Sequence, residues 1–384
     1  MAMLWSGLAV AGAAIWLCVL ALPWQPWRVR ERLEPTSTDG AADIGLDDVT
    51  VLIPARDEAA VIGETLAALG DQGRSLRVML VDDRSSDDTT EAARRAAPAS
   101  LTLDVLAGAP LADGWTGKLW ALEQGRRRIQ TSLTLLLDAD ITLRPGMIRA
   151  LLAKKEESGA ALVSVMAALR MQGGWERLLL PAFIFFFRLL YPFHLANKPS
   201  RWVAAAAGGC VLIDTAALAG IGGFGAIRGA LIDDCALARA MKDAGFRTWV
   251  GVTGGAVSHR AYPTLGTVWR MVARTAYTQL RYSPVLLLLC TLLMALAFWS
   301  PIAGLAGPLS AQIAAAVGLA AMALCYLPTL RYYCRSPGWA LALPLIGTLY
   351  LAMTWHSALR DWGGRRSEWK GRVYDRESEG RRAA

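Results

Sequence analysis

Two carboxylates that stand one residue apart are the side chains of this chain best suited to chemistry. Asp138 and Asp140 directly follow an apolar run, Leu133 to Leu137. If that run is a buried strand, side-chain alternation sends both carboxylates to one face at the strand's end, where open α/β sheets bind ligands. Two hard oxygen ligands so placed can hold Mg²⁺ or Mn²⁺ on a diphosphate. A polar cap on a strand is the alternative, because short motifs often match by chance.

Other polar residues follow predicted strands or begin predicted helices. Asp82 and Asp83 end a strand predicted at 76–81, where acidic side chains can hydrogen-bond a base or a ribose. Lys118 begins a predicted helix after a loop with two glycines, and a lysine in that place can reach a phosphate. Helix capping and a solvated lysine are the structural alternatives.

The elements that must position these residues alternate between short apolar runs and helical stretches from Val49 onward. This alternation predicts an α/β fold in which helices cover a mostly parallel sheet. Pro54 is expected to close the first strand. The predicted elements are strands at 49–53, 76–81, 102–106 and 133–137, and helices at 59–69 and from 118 onward.

The composition indicates that part of the chain lies in a membrane. With 54% hydrophobic and 19% charged residues among 384, it is too apolar for an ordinary soluble protein. Leu4 to Leu22 carries no charge and is long enough to cross a bilayer as a helix. An anchor is favoured over a cleaved signal peptide, because no basic region precedes this run. Three further apolar segments are at 285–299, 302–330 and 339–355.

The net charge of +8 is explained by basic loops beside these apolar segments. Nucleic acid is not expected as a partner, since no zinc-ligand spacing or RNA-binding aromatic motif is present. Arg28, Arg30 and Arg32 place the next domain in the cytoplasm by the positive-inside rule. The basic loop 331–335 and the basic tail give conflicting signals, so the number of spans stays open. The six cysteines show no pairing pattern and are interpreted as reduced packing residues.

Three successive segments resemble the nucleotide-sugar motifs of the family 2 inverting glycosyltransferases. They are Val51 to Glu58, Val81 to Thr89 and Asp138 to Asp140, and their order and spacing match as well. The resemblance covers roughly Val49 to Ser283 and implies a GT-A-like nucleotide-sugar domain with Mg²⁺ or Mn²⁺ on Asp138 and Asp140. It implies donor contacts at Pro54, Arg56, Glu58, Asp82, Asp83, Lys118, Asp138, Arg270 and Arg274.

A narrower resemblance covers nearly the whole chain. The loop Gly114 to Lys118 and the C-terminal apolar segments are similar to the hopene-associated glycosyltransferases of bacterial hopanoid gene clusters, whose relatives include ceramide and carotenoid glycosyltransferases. This resemblance implies a multi-pass enzyme of the bacterial inner membrane that moves a sugar from a nucleotide donor to a hopanoid-like lipid hydroxyl. A UDP-sugar is favoured, although the residues leave uridine and guanosine both open.

The family also has an acidic pair that supplies the catalytic base. Asp233 and Asp234 stand in that place, with Asp233 where Glu is more usual. By resemblance Asp234 is the base and Asp233 orients it or the acceptor. Gly208 and Gly209 resemble the turn at which acceptors approach the backbone. The alternative for the acidic pair is a helix N-terminus favoured by the macrodipole, since the residues from Cys235 onward are predicted to be helical.

The family's Gln/Arg-X-X-Arg-Trp motif is altered in this chain. Arg270 and Arg274 are four residues apart, and Thr275 stands where the tryptophan is expected. On a helix the two arginines still share a face, so a diphosphate clamp is possible. Arg281 with Tyr282 is an alternative clamp, and a basic collar for lipid headgroups is another interpretation.

Five regions are predicted along the chain. Within the catalytic region, the segment at about 177–195 is interpreted as interfacial, with a buried core helix as the competing view. The regions are an anchor helix at 1–24, a basic stop and linker at 25–48, the GT-A-like domain at 49–283, C-terminal membrane helices at 284–357 and a basic tail at 358–384.

Other functions were weighed against a lipid glycosyltransferase. A processive polysaccharide synthase is disfavoured by the altered arginine motif and the few apolar segments. A non-catalytic scaffold of a lipid-synthesis complex is disfavoured by the intact acidic motifs. A sugar nucleotidyltransferase shares the sheet type but does not explain four apolar segments.

Overall fold

The computed structural model describes residues 2–35, 45–369 and 372–375. Residues 36–44 of the predicted linker, and 370–371 and 376–384 of the predicted tail, lie outside the described residues. The chain divides into two compact units. The sheet unit comprises Glu31–Arg170, Phe193–Ala261 and the residues from Glu368, and the helical unit comprises Met1–Arg30, Met171–Pro192 and Tyr262–Ser367.

An eight-stranded mixed sheet forms the centre of the sheet unit, with strand order β3-β2-β1-β4-β7-β6-β8-β5. The predicted first four strands are confirmed, and they pair in parallel. In all, four of the seven pairings in this sheet of described strands are parallel. The strands are β1 Val49–Ala55, β2 Arg77–Asp82, β3 Thr102–Ala107, β4 Leu133–Leu137, β5 Ile141–Leu143, β6 Leu162–Leu169, β7 Cys210–Asp214 and β8 Thr248–Ser258.

Helices flank the sheet, and others make up the helical unit. Arg365–Trp369 and Arg372–Asp375 are two further strands, β9 and β10. The helices of the described residues are α1 Ala2–Ala21, α2 Ile62–Gly70, α3 Thr89–Ala96, α4 Gly117–Arg126, α5 Met147–Ser158, α6 Gly174–Leu190, α7 Phe193–Ala196, α8 Thr215–Gly220, α9 Asp233–Asp243, α10 Leu265–Ala273, α11 Ala276–Gln279, α12 Pro284–Met294, α13 Ser300–Gly304, α14 Leu309–Tyr332 and α15 Leu343–Trp362.

Strands β1 and β4 are buried on both faces, which explains why they lack a polar alternation. Val51 of β1 and Leu135 of β4 belong to a core cluster that includes side chains of α2 and α5. Leu52 and Leu136, the next residues along each strand, belong to a second cluster with side chains of α4 and α9. Helices packed on both faces therefore hold the carboxyl ends of β1, β2 and β4 at one edge of the sheet.

Several element boundaries differ from the sequence prediction, among them the end of β1 and the start of α2. Strand β1 is not closed by Pro54 but continues to Ala55, with Pro54 opposite Val81 of β2. Helix α2 begins at Ile62 rather than at residue 59, because the backbone before it is used by a facing loop. There the amide of Glu58 donates to Thr89 Oγ1 over 2.9 Å, and that of Ala59 donates to an Asp87 carboxylate.

The helical unit contains helices of membrane-spanning length. By length and composition alone, four continuous helical stretches of the described residues are long and apolar enough to cross a bilayer: Met3–Ala21, Pro284–Gly304, Leu309–Tyr332 and Pro337–Trp362. A π-helix at Ala295–Trp299 joins α12 to α13, and a 3-10 helix at Pro337–Ala342 precedes α15. The apolar segment predicted at 302–330 is divided between two of the four stretches, because α14 begins only after Pro308. A proline is well tolerated at a helix start, where its missing amide hydrogen is not needed.

The segment predicted to be interfacial forms most of one helix, α6, despite Pro181 in its interior. Eight of the seventeen residues of α6 are buried within the structure. Tyr350 Oη of α15 donates a hydrogen bond of 2.9 Å to the carbonyl oxygen of Leu179. This packing supports a buried helix, and contact with a membrane surface stays a prediction.

Candidate active site

The two carboxylates of the Asp138-Ala139-Asp140 motif lie in a turn and not on a strand. Strand β4 ends at Leu137, and β5 begins at Ile141. The amide of Asp138 donates to the carbonyl of Gly209 over 3.1 Å, and the amide of Ile141 donates to the carbonyl of Asp138 over 3.1 Å. Side-chain alternation therefore does not set the directions of these carboxylates, contrary to the argument from the sequence.

Lys118 joins carboxylates that are far apart in sequence. Its Nζ lies 2.8 Å from Asp138 Oδ1 and 3.2 Å from Asp233 Oδ2. Burial alone would lower the pKa of Lys118, but Asp138 and then Asp233 outweigh burial, so the pKa lies above its ordinary value. One cleft is lined by Pro54, Lys118, Asp138, Gly208, Asp233 and Asp234 together with apolar side chains.

Asp234 is held in place by two backbone amides. Its Oδ2 accepts from the amide of Gly208 over 2.9 Å, and its Oδ1 accepts from the amide of Cys235 over 2.7 Å. Asp233 and Asp234 both lie in the first turn of α9, so the acidic pair also has the helix N-terminal position of the alternative interpretation. Burial and then the neighbouring Asp233 raise the pKa of Asp234 to about 6. A carboxylate with this pKa is ionised at neutral pH and is more basic than an ordinary aspartate.

Asp140 is anchored by Ser258 and Arg260, whose contacts with it were not predicted from the sequence. Its buried Oδ2 accepts from Ser258 Oγ over 2.8 Å and lies 3.4 Å from Arg260 Nε. Arg260 also binds Glu58, with Nη2 3.0 Å from Oε1. Ser258 ends the long strand β8, Arg260 follows two residues later, and the pairing of β8 with β5 brings Ser258 opposite Ile141.

The loops after β1 and β2 distinguish Asp82 from Asp83. The side chain of Asp83 is fully buried, and its carbonyl accepts from Arg56 Nη1 over 2.7 Å. Asp82 is half-buried at the end of β2, where its Oδ1 accepts from both the amide and the hydroxyl of Ser85. Ser85 Oγ in turn accepts from the amide of Asp57, so the two loops support each other. Of the two carboxylates, Asp82 is the accessible one.

The predicted arginine clamp belongs to the helical unit. Arg270 lies on α10, Arg274 is the residue that ends this helix, and both side chains are exposed. Trp269, the residue before Arg270, is tied to α15, because its Nε1 donates to His356 Nδ1 over 2.7 Å. The roles of Arg270, Arg274, Arg281 and Tyr282 at a diphosphate stay predictions.

The carboxylates of the cleft fit a metal ion that is also bound by a substrate. Within the described part of the chain, no group of three or more His, Cys, Asp or Glu side chains is arranged to hold a metal ion by itself. Mg²⁺ is commonly held by one or two carboxylates and the phosphates of a substrate. Asp138 uses Oδ1 for Lys118, which leaves Oδ2 for such an ion.

Comparisons with known proteins agree with the architecture. A sequence profile described as "Glycosyltransferase like family 2" matches residues 47–278. Curated 4,4'-diaponeurosporenoate glycosyltransferases from two strains of Staphylococcus aureus are 33% and 34% identical over 113 residues, which is 29% of this chain and 29% of each relative. The match therefore spans less than a third of those relatives.

A solved structure shares the fold. A mannosyltransferase from Pyrobaculum calidifontis, in complex with GDP-Man and Mn²⁺, matches with a TM-score of 0.51 and 20% identity. The match covers 93% of this chain and 99% of that one. Together with the profile match, this likeness confirms the predicted GT-A-like α/β fold.

Proposed function

Because the profile match covers more than half of its sequence, the chain belongs to glycosyltransferase family 2, and we propose that it glycosylates a membrane lipid with inversion. The donor is a nucleotide-diphosphate sugar, and the acceptor is a lipid hydroxyl. The observation that carries the proposal is the convergence of Asp138, Asp233 and Asp234 around Lys118 in one cleft.

The donor side of the cleft is assigned to the residues at the strand ends. Asp82 is the accessible carboxylate for the nucleoside, and Lys118 provides positive charge for the diphosphate. Asp138, with Asp140 behind it, would hold Mg²⁺ or Mn²⁺ with the donor, and this ion would neutralise charge on the leaving group. Arg260 keeps Asp140 in its orientation.

Asp234 is assigned as the general base. It takes the proton of the acceptor hydroxyl while that oxygen attacks the anomeric carbon and the bond to the diphosphate breaks. Attack from the side opposite the leaving group inverts the configuration without a covalent intermediate. The amides of Gly208 and Cys235 direct its two oxygens, and Gly208 has no side chain to obstruct an acceptor. Asp233 acts on the donor side through Lys118.

A lipid acceptor is supported by the apolar helices and by the relatives. Four helices are long and apolar enough to span a membrane, and the curated relatives are named for glycosylation of diaponeurosporenoate. A hopanoid-like acceptor, an inner-membrane location with a cytoplasmic catalytic domain, and a diphosphate clamp by Arg270 and Arg274 complete the proposal. Arg28 and Arg30, directly after the first apolar helix, support the cytoplasmic orientation.

The test is transfer from labelled UDP- and GDP-sugars to bacterial lipid extracts by the full chain in nanodiscs, with Mg²⁺ or Mn²⁺ present. The expected product is a singly glycosylated lipid that partitions into chloroform and is identified by mass spectrometry. Asp234→Asn should bind the donor but form no product. A long polymer on a gel would instead indicate a processive synthase, and absence of nucleotide-sugar binding would indicate a scaffold; either result contradicts the proposal.

A further inference from the structure

One tryptophan of the sheet unit is almost fully exposed. Trp202 has 92% of its surface accessible, the highest value among the large hydrophobic side chains that the structure describes as exposed. All the others in that set belong to the helical unit. Trp202 lies in residues 198–203, which we call the Trp202 loop. A large aromatic side chain left in water by an otherwise well-packed unit needs a reason.

The Trp202 loop is held rigidly by a buried lysine of α9. The side chain of Lys242 is 2% exposed, and its Nζ donates to the carbonyl oxygens of Lys198, Ser200 and Val203 over 2.9, 3.0 and 2.7 Å. Three carbonyls directed at one ammonium set the path of the loop backbone. The exposure of Trp202 is therefore built into the fold and is not the fraying of a loose segment.

Two further side chains complete the support. The guanidinium of Arg239, also on α9, donates to the carbonyl of Arg201 and, over 3.4 Å, to that of Trp202. Just before the loop, Asn197 exchanges two hydrogen bonds with the backbone of Val250 in β8, at 3.0 and 2.7 Å. Both ends of the loop are thus tied to regular structure.

The surroundings of Trp202 favour a lipid surface over a protein partner. Lys198, Arg201 and Arg239 have exposed side chains, so the loop presents positive charge around one aromatic ring. Trp with Lys and Arg is the composition found where proteins meet the headgroups of anionic membranes. A stable protein interface needs about 800 Å² on each partner, which one tryptophan does not supply. The described residues also include four helices long and apolar enough to span a membrane, so the chain is expected at a bilayer.

We propose that the Trp202 loop is an interfacial anchor of the sheet unit, with the Trp202 indole at headgroup level and Lys198 and Arg201 at the phosphates of anionic lipids. The loop is tied to α9, the helix that begins with Asp233 and Asp234. The anchor would consequently fix the height of these carboxylates above the bilayer. That last consequence rests on the proposed function, whereas contact of the loop with lipid does not.

The test places a fluorophore in the loop of the full chain. Ser200→Cys is labelled in a background that carries Cys18→Ser and Cys334→Ser, which removes the two exposed cysteines. The protein is reconstituted into vesicles of phosphatidylcholine with or without phosphatidylglycerol. Quenching by lipids with a nitroxide near the headgroup is compared with quenching by aqueous iodide. Ser100→Cys, another exposed serine of the sheet unit, is the matched control site.

We expect the nitroxide lipid to quench the label at position 200 and iodide to quench the label at position 100. Trp202→Ala should remove the lipid quenching at 200. Removing one positive charge with Lys198→Gln or Arg201→Gln should weaken the contact of the loop with anionic lipids roughly fivefold. Equal quenching at both sites, or lipid quenching that survives Trp202→Ala, would overturn the proposal. No sugar donor or acceptor is present, so a failure of glycosyl transfer would not alter this result.

Discussion

Lys118 and Asp138 form an ion pair of 2.8 Å that joins the start of α4 to the end of β4. The same ammonium lies 3.2 Å from Asp233, at the start of α9. One cation thus connects three elements and offsets the repulsion among the carboxylates that it gathers. Without it, Asp138 and Asp233 would face each other in a partly buried cleft with no compensating charge.

Lys118→Met should both destabilise the fold and weaken catalysis. The side chain of Lys118 is 20% exposed and that of Asp138 is 32% exposed, so the loss of stability is expected at about 1–3 kcal/mol, below the value for a fully buried pair. The transfer rate should fall about 100-fold, since a charge at the diphosphate is lost. Thermal unfolding and initial rates of sugar transfer measure the two effects. Lys118→Arg keeps the charge and is the control; a Met variant with unchanged stability and rate would disprove the role of the pair.

The pH dependence of the reaction should report Asp234. A general base acts only when ionised, and the pKa of Asp234 is raised to about 6 by burial and then by Asp233. The value of kcat/KM should therefore fall as the pH drops through about 6. This decrease reports the pKa of the base in the free enzyme. Initial rates between pH 4.5 and 8 measure it. An acid limb that remains near pH 4 would contradict the assignment.

The same raised pKa predicts that Asp234 costs stability at neutral pH. The pKa of Asp234 is near 4 in the unfolded chain and about 6 in the folded chain. Between pH 4 and pH 6 the folded chain therefore binds this proton more tightly than the unfolded chain does. Its stabilising contribution is present below pH 4 and is lost as the pH rises through 6, by about 1–3 kcal/mol. Denaturant unfolding at pH 4.5 and pH 7 should show this loss in the natural chain and not in Asp234→Asn. Identical pH profiles would refute the prediction.

A side chain at Gly223 should lower the free energy of unfolding more than a side chain at Gly222. At Gly223, with φ +63°, a Cβ would lie 2.5 Å from Arg126 Nε and 2.8 Å from Glu123 Oε2. Those side chains bind each other, and Glu123 accepts from the amide of Phe224 over 3.1 Å, which ties α4 to the turn at residues 223–227. At Gly222, with φ +89°, a Cβ would meet no atom within 4 Å.

Gly222→Ala should therefore cost about 1 kcal/mol from backbone strain alone, and Gly223→Ala about 2 kcal/mol more. Both free energies of unfolding can be measured by denaturant titration under one set of conditions. Equal losses in the two variants would mean that the contact between Glu123 and Arg126 does not depend on the space at Gly223.

Arg260→Gln should weaken the binding of the metal ion rather than abolish folding. Arg260 holds both Asp140 and Glu58, and loss of a side chain that orients a metal ligand typically costs 10- to 100-fold in metal affinity. The readout is the Mn²⁺ concentration for half-maximal donor binding, with Arg260→Lys expected to recover part of the loss. A variant that binds the donor at the same Mn²⁺ concentration as the natural chain would exclude this positioning role.

Much of the sheet and most of the candidate residues could be predicted from local pattern. The apolar runs of β1 to β4 and the acidic residues behind β2 and β4 are local features, and all four strands are confirmed. The antiparallel strand β7 and the pairing of β5 with β8 were not predicted, because strand order depends on contacts between distant segments. For the same reason the contacts of Ser258 and Arg260 with Asp140, which depend on that pairing, were not predicted.

By itself, the sequence determined the α/β class, the apolar helices and the identity of the acidic residues, since side-chain periodicity and residue type are properties of short segments. Only the tertiary structure decided that Asp138 and Asp233 share Lys118, that Asp140 is bound by Arg260, and that Asp83 is buried while Asp82 is not. These relationships join residues that are far apart in the chain. Their distances follow from the order of the strands and from a turn where the alternation of a strand no longer applies.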